Sequence, residues 1–389
     1  MKRKLTYSTI LKNAKALNGT PYLMEYLWAR TAGANKSYKM KDGYSRPMKK
    51  IILKITNLCD LRCKMCPQWG ETGYSHEMEK RALREMLPLQ RYKELIDEVA
   101  PHKPLIYITG GEPFLYPDIL ELMRYIKEKN LLMVINTNGS KLEKYAKELV
   151  ENGPSAIIVS IDGPPEMHNH IRNSDQSFQN IEAGLKRLSA IKKEKNHGQP
   201  LVVVNHVVTK DNSELLEKTY DSISCLNVDF MSTFLAWKIS KKMGEKHAEI
   251  VEKELGTTPY IWQSYVGHDG DTPDMEKFIL QKQKLEKKSG IPLVFSPELP
   301  DKKLSKFYSD LTETFGHKKC TAPWFECIIM PDGEVMTCTD FWDISVGNIS
   351  NQPVLDVWNG EKFRKFRMMV KNQGGLLPIC SRCCGLLGM

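Results

Sequence analysis

The sequence predicts an α/β fold: a mostly parallel sheet clothed in helices, followed by a smaller β-hairpin region. Two observations predict it. Short apolar runs of the strand type begin near Ile51, Leu105, Leu131, Ala156, Leu201 and Val228, and amphipathic helical stretches separate them. Such a series of six βα units suits parallel pairing, because each strand needs a crossover before the next can align with it. After Cys320 the pattern changes to short strands and tight turns. Strands wound in one hand close into an open sheet or a barrel, and the alternation alone allows both.

In chain order, residues 1–48 carry short helical patterns, Leu5–Leu17 and then Tyr22–Trp28, with a Gly/Lys/Pro stretch leading to Pro47. Residues 49–236 hold the six units. Helices are expected at Arg91–Val99, Pro117–Lys129, Leu142–Glu151, Phe178–Lys192 and Ser213–Ser224, where apolar residues recur at helical spacing. Residues 237–316 are lysine-rich and read as mostly helical, with an irregular stretch around Gly267–Pro273. In residues 317–389, Ile328–Met330 and Glu334–Cys338 flank the turn Pro331-Asp332-Gly333 and read as a hairpin. Short helices at Val354–Asn359 and Lys362–Val370 and a cysteine-rich tail follow.

Composition narrows the function classes. With 389 residues, 41% hydrophobic and 26% charged, the chain supports a large core and is not a disordered protein. No apolar run approaches the ~18 residues of a membrane span. Basic Lys2, Arg3 and Lys4 are followed by interrupted, polar sequence and not by a signal-peptide apolar region, so a cytoplasmic protein without a membrane partner is expected. The net charge of +9 is scattered, with short runs such as Lys192–Lys195 and the pair Lys318 and Lys319. That pattern reads as a solvated surface, and no nucleic-acid partner is expected.

The ten cysteines carry more information: they fall at 59, 63, 66, 225, 320, 327, 338, 380, 383 and 384. In a reducing compartment, clustered cysteines read as metal or redox chemistry. Cys59, Cys63 and Cys66 form a CxxxCxxC run directly after the first strand. Cys63 and Cys66 alone would fit a thioredoxin-like CxxC pair, but that leaves Cys59 without a role and does not begin a chain of six βα units. Three thiolates on one loop can instead hold three irons of a [4Fe–4S] cube and leave the fourth open to a small chelating ligand.

The following strand ends continue the theme. Strand two ends in Thr109-Gly110-Gly111-Glu112-Pro113, where glycines admit close backbone approach and a carboxylate can receive an ammonium. Strand three ends in Asn136-Thr137-Asn138-Gly139, whose amides can hydrogen-bond a polar ligand. Strand four ends in Ser160-Ile161-Asp162-Gly163 with Arg172 beyond it, and strand five carries Asn205. Gly-Gly, Asn-Gly and Asp-Gly are ordinary turn residues singly; their recurrence at consecutive strand ends, where barrel sites sit, gives them weight.

With these motifs, residues 49–236 resemble the radical SAM superfamily. The resemblance implies a partial (βα)6 TIM-like barrel and S-adenosylmethionine (SAM) chelating the open iron of a cluster on Cys59, Cys63 and Cys66. It implies SAM contacts at Gly110, Gly111, Glu112, Asn136, Asn138, Ser160, Arg172 and Asn205, with Ser160 and Arg172 at the SAM carboxylate. Trp69, three residues past Cys66, suits either an adenine contact or plain packing.

A second group of thiols lies at the other end. Cys320 precedes Gly333 and Cys338 in a CX12GX4C arrangement, and the tail supplies Cys380-Ser-Arg-Cys383. A hairpin and a CxxC brought together would offer four thiolates to zinc or an iron–sulfur cluster. The arrangement resembles the SPASM/twitch extension of radical SAM enzymes, also in Cys320-Thr-Ala-Pro-Trp324, Gly347-Asn348-Ile349 and Leu355-Asp-Val-Trp358. Full SPASM domains carry further cysteines for two auxiliary clusters. Here only Cys384 follows Cys383, so one auxiliary [4Fe–4S] cluster is expected, on Cys320, Cys338, Cys380 and Cys383. Cys327 and Cys225 are expected as buried apolar residues, and Cys384 as a neighbour able to swap in as a ligand.

The resemblance implies reductive SAM cleavage to a 5′-deoxyadenosyl radical and hydrogen abstraction from a substrate, with flavodoxin or ferredoxin as the reductant. An auxiliary cluster with four thiolates has no iron free for substrate, which points to an electron acceptor and a two-electron oxidation. Asp340 and Glu326, near the auxiliary thiols in sequence, are candidates for the base. The expected substrate is a sugar- or cyclitol-like small molecule. The alternatives are peptide or protein modification, and a non-enzymatic iron–sulfur or zinc-binding interaction protein.

Overall fold

In the computed structural model, residues 25–26, 28–267, 272–338 and 340–387 are described. The expected Leu5–Leu17 helix lies outside them. Six parallel strands form the centre of one sheet: β1 (Lys50–Lys54), β2 (Leu105–Thr109), β3 (Met133–Thr137), β4 (Ala156–Ser160), β5 (Leu201–Val208) and β6 (Phe230–Leu235). Each pairs with the next in parallel. The crossover helices fold as expected. Ile119–Glu128 buries Ile119, Leu122, Met123 and Ile126, and Leu142–Glu151 buries Leu142, Ala146, Leu149 and Val150. Both are single-faced apolar stripes laid on the sheet.

Period-2 alternation sorts the first strand between two cores. Ile51, Leu53 and Ile55 join the large cluster under the helices, while Ile52 packs with Ile328, Met330 and Met336 on the other face. Side chains from the ends of β2 to β6 and from the loop after β1 line one common cavity, so the sheet curves around it.

The structure adds strands at both edges. Residues 237–316 are not all helical: β7 (Leu293–Ser296) pairs in parallel with β6. At the opposite edge, β8 (Glu326–Ile329) pairs in parallel with β1, and β9 (Glu334–Met336) and β10 (Ser345–Asn348) extend it antiparallel. The strand order is therefore β10-β9-β8-β1-β2-β3-β4-β5-β6-β7. The hairpin foreseen in the sequence is not an appendage. It satisfies the backbone groups of β1, which would otherwise be an open edge.

Buried Arg367 locks the C-terminal helices to the segment before β1. Its guanidinium donates to Pro323 O at 2.7 Å and to Gly43 O at 3.0 Å, and faces the rings of Trp358 and Phe363.

Candidate active site and the second thiol site

The loop after β1 is shaped by the strand ends beside it. Gly111 N donates to Thr56 O and Glu112 N to Leu58 O, each at 2.8 Å. A Cβ on Gly111 would stand 2.1 Å from Leu58 O, and one on Gly110 would stand 2.7 Å from Thr56 O. The two glycines therefore serve first to let β2 lie against the cysteine loop. Asp60 anchors the same loop from the other side, accepting from Asn138 Nδ2 at 2.8 Å and Ser140 Oγ at 2.7 Å.

Cys59, Cys63 and Cys66 stand at the rim of a cavity of about 430 Å³. The same cavity is lined by Gly110, Gly111, Asn136, Asn138, Ser160, Arg172 and Asn205, so the structure brings together all but one of the expected barrel-site residues. Arg172 is ion-paired with buried Asp162, and its Nη1 donates to Cys63 Sγ at 3.7 Å. Asp162 in turn receives Val207 N at 2.9 Å, and its own N–H donates to His168 Nδ1 at 3.1 Å.

Glu112 is the exception. Its carboxylate is fully buried and accepts from Thr137 Oγ1 and Asn138 N at 2.8 Å and from Phe114 N at 3.2 Å. Glu112 is not among the residues lining the cavity. Its side chain ties the β2 end to the β3 end, and burial pushes the carboxyl up to about 7. Trp69 is also outside the lining: its ring stacks on the Arg62 guanidinium at 4.0 Å and meets His76 edge-on.

Sequence reasoning missed the outer wall. Phe234, Leu235, Ala236 and Trp237 at the end of β6, with Ser264 and Tyr265 from the following region, give the cavity an apolar, aromatic side. Asp340, from the segment after Cys338, also lines it. Lys54 was likewise missed. It is fully buried on β1, donates to Asn57 Oδ1 at 2.6 Å and Tyr74 OH at 2.9 Å, and burial lowers its ammonium to about 7.

The second group of thiols is also assembled. Cys320, Cys338, Cys380 and Cys383 surround one closed cavity of about 40 Å³, among Phe341, Ile344, Phe366, Val370 and Leu386. Burial pushes up the Cys320, Cys338 and Cys380 thiols, Cys380 to about 12. His247, from the helix Lys241–Leu255, lines the same cavity. Cys383 Sγ donates to Asp340 Oδ2 at 3.2 Å, so Asp340 touches both sites. Among the described residues no three Cys, His, Asp or Glu side chains crowd closely enough to clasp a single ion. A four-iron cube does not require that, because each thiolate takes its own corner iron.

Three expectations are corrected. Glu326 lies away from the barrel-mouth cavity: it pairs with Lys50 Nζ at 2.8 Å where β8 and β1 begin, at the end of the strands away from the cysteine loop, while its charge still helps to raise the Cys320 thiol. Cys225 is exposed rather than buried, because it follows the helix Leu216–Ile223 in a surface turn. Glu112 braces the strand ends, as described above. Cys327 is fully buried on β8, as expected, and the side chain of Cys384 lies outside the described residues.

A curved parallel sheet with three thiols, two glycines and polar groups at successive strand ends defines an enzyme site of the barrel-mouth type. Residues 53–223 match the radical SAM superfamily, and residues 320–384 match the iron–sulfur cluster-binding SPASM domain. The chain is a SPASM-type radical SAM enzyme. Its cofactors are SAM, a SAM-binding [4Fe–4S] cluster and an auxiliary iron–sulfur cluster.

The relatives agree. The chain is 25% identical over 362 residues to a tungsten-containing aldehyde ferredoxin oxidoreductase cofactor-modifying protein of Pyrococcus furiosus, covering 86% of this chain and 87% of that one. It is 27% identical over 358 residues to an AdoMet-dependent heme synthase of Methanosarcina barkeri, covering 86% and 90%. In fold it is similar to Streptococcus suis SuiB bound to its precursor peptide SuiA, with TM-score 0.60 and 17% identity over 90% of this chain and 74% of that one. It is also similar to anSMEcpe with bound AdoMet, with TM-score 0.55 and 18% identity over 86% and 89%. No helix among the described residues is long and apolar enough to cross a membrane.

Proposed function

We propose that Cys59, Cys63 and Cys66 hold the SAM-binding cluster, that Cys320, Cys338, Cys380 and Cys383 hold the auxiliary one, and that the enzyme oxidises a small molecule by two electrons. The residues fit these groups. Arg172 Nε and Asn136 Oδ1 are buried on the cavity wall without a hydrogen-bond partner, a donor and an acceptor waiting for a polar ligand. When bound, the clusters and SAM supply the one-electron chemistry, reductive SAM cleavage at the open site and electron acceptance at the closed one.

The chain's own residues do the rest. Arg172, held by Asp162, would receive the SAM carboxylate together with Ser160, and Asn136, Asn138 and Asn205 would hold the ribose. Asp340 carries the oxidation reading, because it lines the substrate cavity and its carboxylate also accepts from an auxiliary thiol. There it accepts the proton that an oxidised carbon's substituent gives up.

The wall formed by Phe234, Trp237 and Tyr265 suits a flat, ring-bearing molecule better than the hydroxyl-rich sugar or cyclitol expected from the sequence. The relatives named for cofactor modification and heme synthesis match almost end to end, and favour that class over a peptide. A peptide is the second reading, supported by the fold it shares with peptide-bound SuiB.

The test is substrate-dependent 5′-deoxyadenosine formation by the reconstituted, reduced enzyme with tetrapyrroles, purine nucleotides, cyclitols and short peptides. Stimulation by a planar ring compound is expected, and stimulation by peptides alone would overturn the reading. With the responding substrate, Asp340→Asn should keep SAM cleavage and lower oxidised product by roughly 10²–10⁴-fold. Unchanged product would remove Asp340 from the role of base.

A further inference from the structure

The closed thiol site contains a polar side chain that the proposed chemistry does not use. His247 is 1% exposed, and neither of its ring nitrogens has a hydrogen-bond partner. It lines the cavity shared by Cys320, Cys338, Cys380 and Cys383. Apart from those thiols, the lining side chains are hydrocarbon, from Phe341 and Phe366 to Leu386.

The position of His247 is fixed by its helix. Met243, Gly244, His247 and Val251 form the buried stripe of Lys241–Leu255. Gly244 lies so close to the Trp262 ring that a Cβ would stand 1.9 Å from Cε3, which seats the helix tightly against its neighbours. The Phe341 ring, 6.0 Å away centre to centre, covers one side of the imidazole.

Neutral or protonated, an imidazole carries at least one N–H. A buried donor sealed among hydrocarbon is destabilising unless its acceptor arrives with a ligand. Sulfur is the acceptor chemistry that this cavity gathers, and a cluster on the four thiols would fill it with thiolate and sulfide.

We propose that His247 donates an N–H hydrogen bond to a sulfur atom of the auxiliary cluster and so raises that cluster's reduction potential. This rests on the reading that Cys320, Cys338, Cys380 and Cys383 hold that cluster. Donors to cluster sulfur favour the reduced, more negative state, and a cluster meant to accept an electron from substrate gains from that shift. His247 is thus a positioning residue that acts through the cluster and does not touch substrate.

The experiment uses the full chain with Cys59, Cys63 and Cys66 replaced by alanine, so that the auxiliary cluster alone gives signal after anaerobic reconstitution. His247→Phe keeps the ring's bulk without its N–H; His247→Gln returns an N–H. The measurements are iron content, a redox titration followed by EPR, and pulsed EPR of the reduced cluster in D2O. His247→Phe is expected to retain its iron, titrate at a more negative potential and lose an exchangeable deuteron coupling. His247→Gln is expected to recover part of the shift.

An unchanged potential with unchanged deuteron coupling in His247→Phe would overturn the proposal. So would a strong nitrogen coupling in the parent, which would make His247 an iron ligand, or loss of iron from both variants while they stay folded. The ligand reading fails separately, by retention of iron when Cys380 and Cys383 are replaced by alanine in the same background.

Discussion

The two thiol sites use the same side chain in opposite surroundings. At the barrel mouth, three cysteines stand at the rim of a cavity of about 430 Å³ whose wall carries Asn136, Ser160, Arg172 and Asn205. At the C-terminal site, four cysteines enclose a closed cavity of about 40 Å³ with hydrocarbon walls. An open thiol site with unpaired polar groups can admit and orient ligands; a sealed one, with all four thiols on a cluster as proposed, would store or pass an electron and offer substrate no entry. The difference follows from position. The first loop sits where parallel strand ends converge, and the second is wrapped by the hairpin, the helix Glu361–Asn372 and the tail. Asp340 reaches both.

The largest effect that separates the sites comes from removing the open one. Replacing Cys59, Cys63 and Cys66 with alanine should abolish SAM cleavage and lower iron from about eight to about four per chain, as two four-iron clusters require. Iron analysis after anaerobic reconstitution measures it, and SAM cleavage at the parent rate in the triple variant would break the comparison.

A smaller effect tests how the open site is braced. Gly111→Ala places a Cβ 2.1 Å from Leu58 O, with backbone on both sides and no flexible side chain to yield. The loop must shift, at a cost of about 1–3 kcal/mol. Iron retained by the barrel site should drop while the auxiliary iron stays, an asymmetry visible in EPR of the two clusters. Equal loss at both sites would show that the strand-end bracing is global.

The smallest effect lies behind the Arg172 wall. Burial, with the Arg172 cation nearby, holds the His168 imidazole down at about 3, and the ring is bonded to Asp162 N and Ser177 Oγ. The folded chain therefore keeps His168 neutral where the unfolded chain takes up a proton. That costs stability progressively as pH falls from about 6.5 toward about 3. Relative to the parent, His168→Gln should gain about 2 kcal/mol in unfolding free energy between pH 7 and pH 5. Denaturant melts of parent and variant at the two pH values check it, and a difference that does not change with pH would contradict the buried-neutral assignment.

The open site was legible in the sequence because its residues lie at the ends of consecutive strands, so that local order along the chain is also order around the cavity. The hairpin was legible from Pro331-Asp332-Gly333. What the sequence hid depends on contacts between distant segments. Nothing local says that Glu326–Ile329 will pair with β1, or that the four residues Leu293–Ser296, set between Pro292 and Pro297, will close the other edge. Glu112 looked like a ligand because its neighbours are glycines, yet those glycines face the cysteine loop's backbone and its carboxylate bonds to β3. His247 sits in a lysine-rich helix without a motif, and only tertiary packing brings it to the thiols. Glu326 and Asp340 looked equivalent in sequence; the parallel register with β1 sends one to the far end of the strands and leaves the other at the mouth.

The central claim, one open site and one sealed site, is tested most directly by adding SAM to two reduced single-cluster proteins and recording EPR. One carries Cys59, Cys63 and Cys66 replaced by alanine and keeps the auxiliary cluster; the other carries Cys380→Ala with Cys383→Ala and keeps the barrel cluster. SAM should change the spectrum of the barrel cluster and leave that of the auxiliary cluster as it was. A SAM-dependent change at the auxiliary cluster, or none at the barrel cluster, would contradict the account.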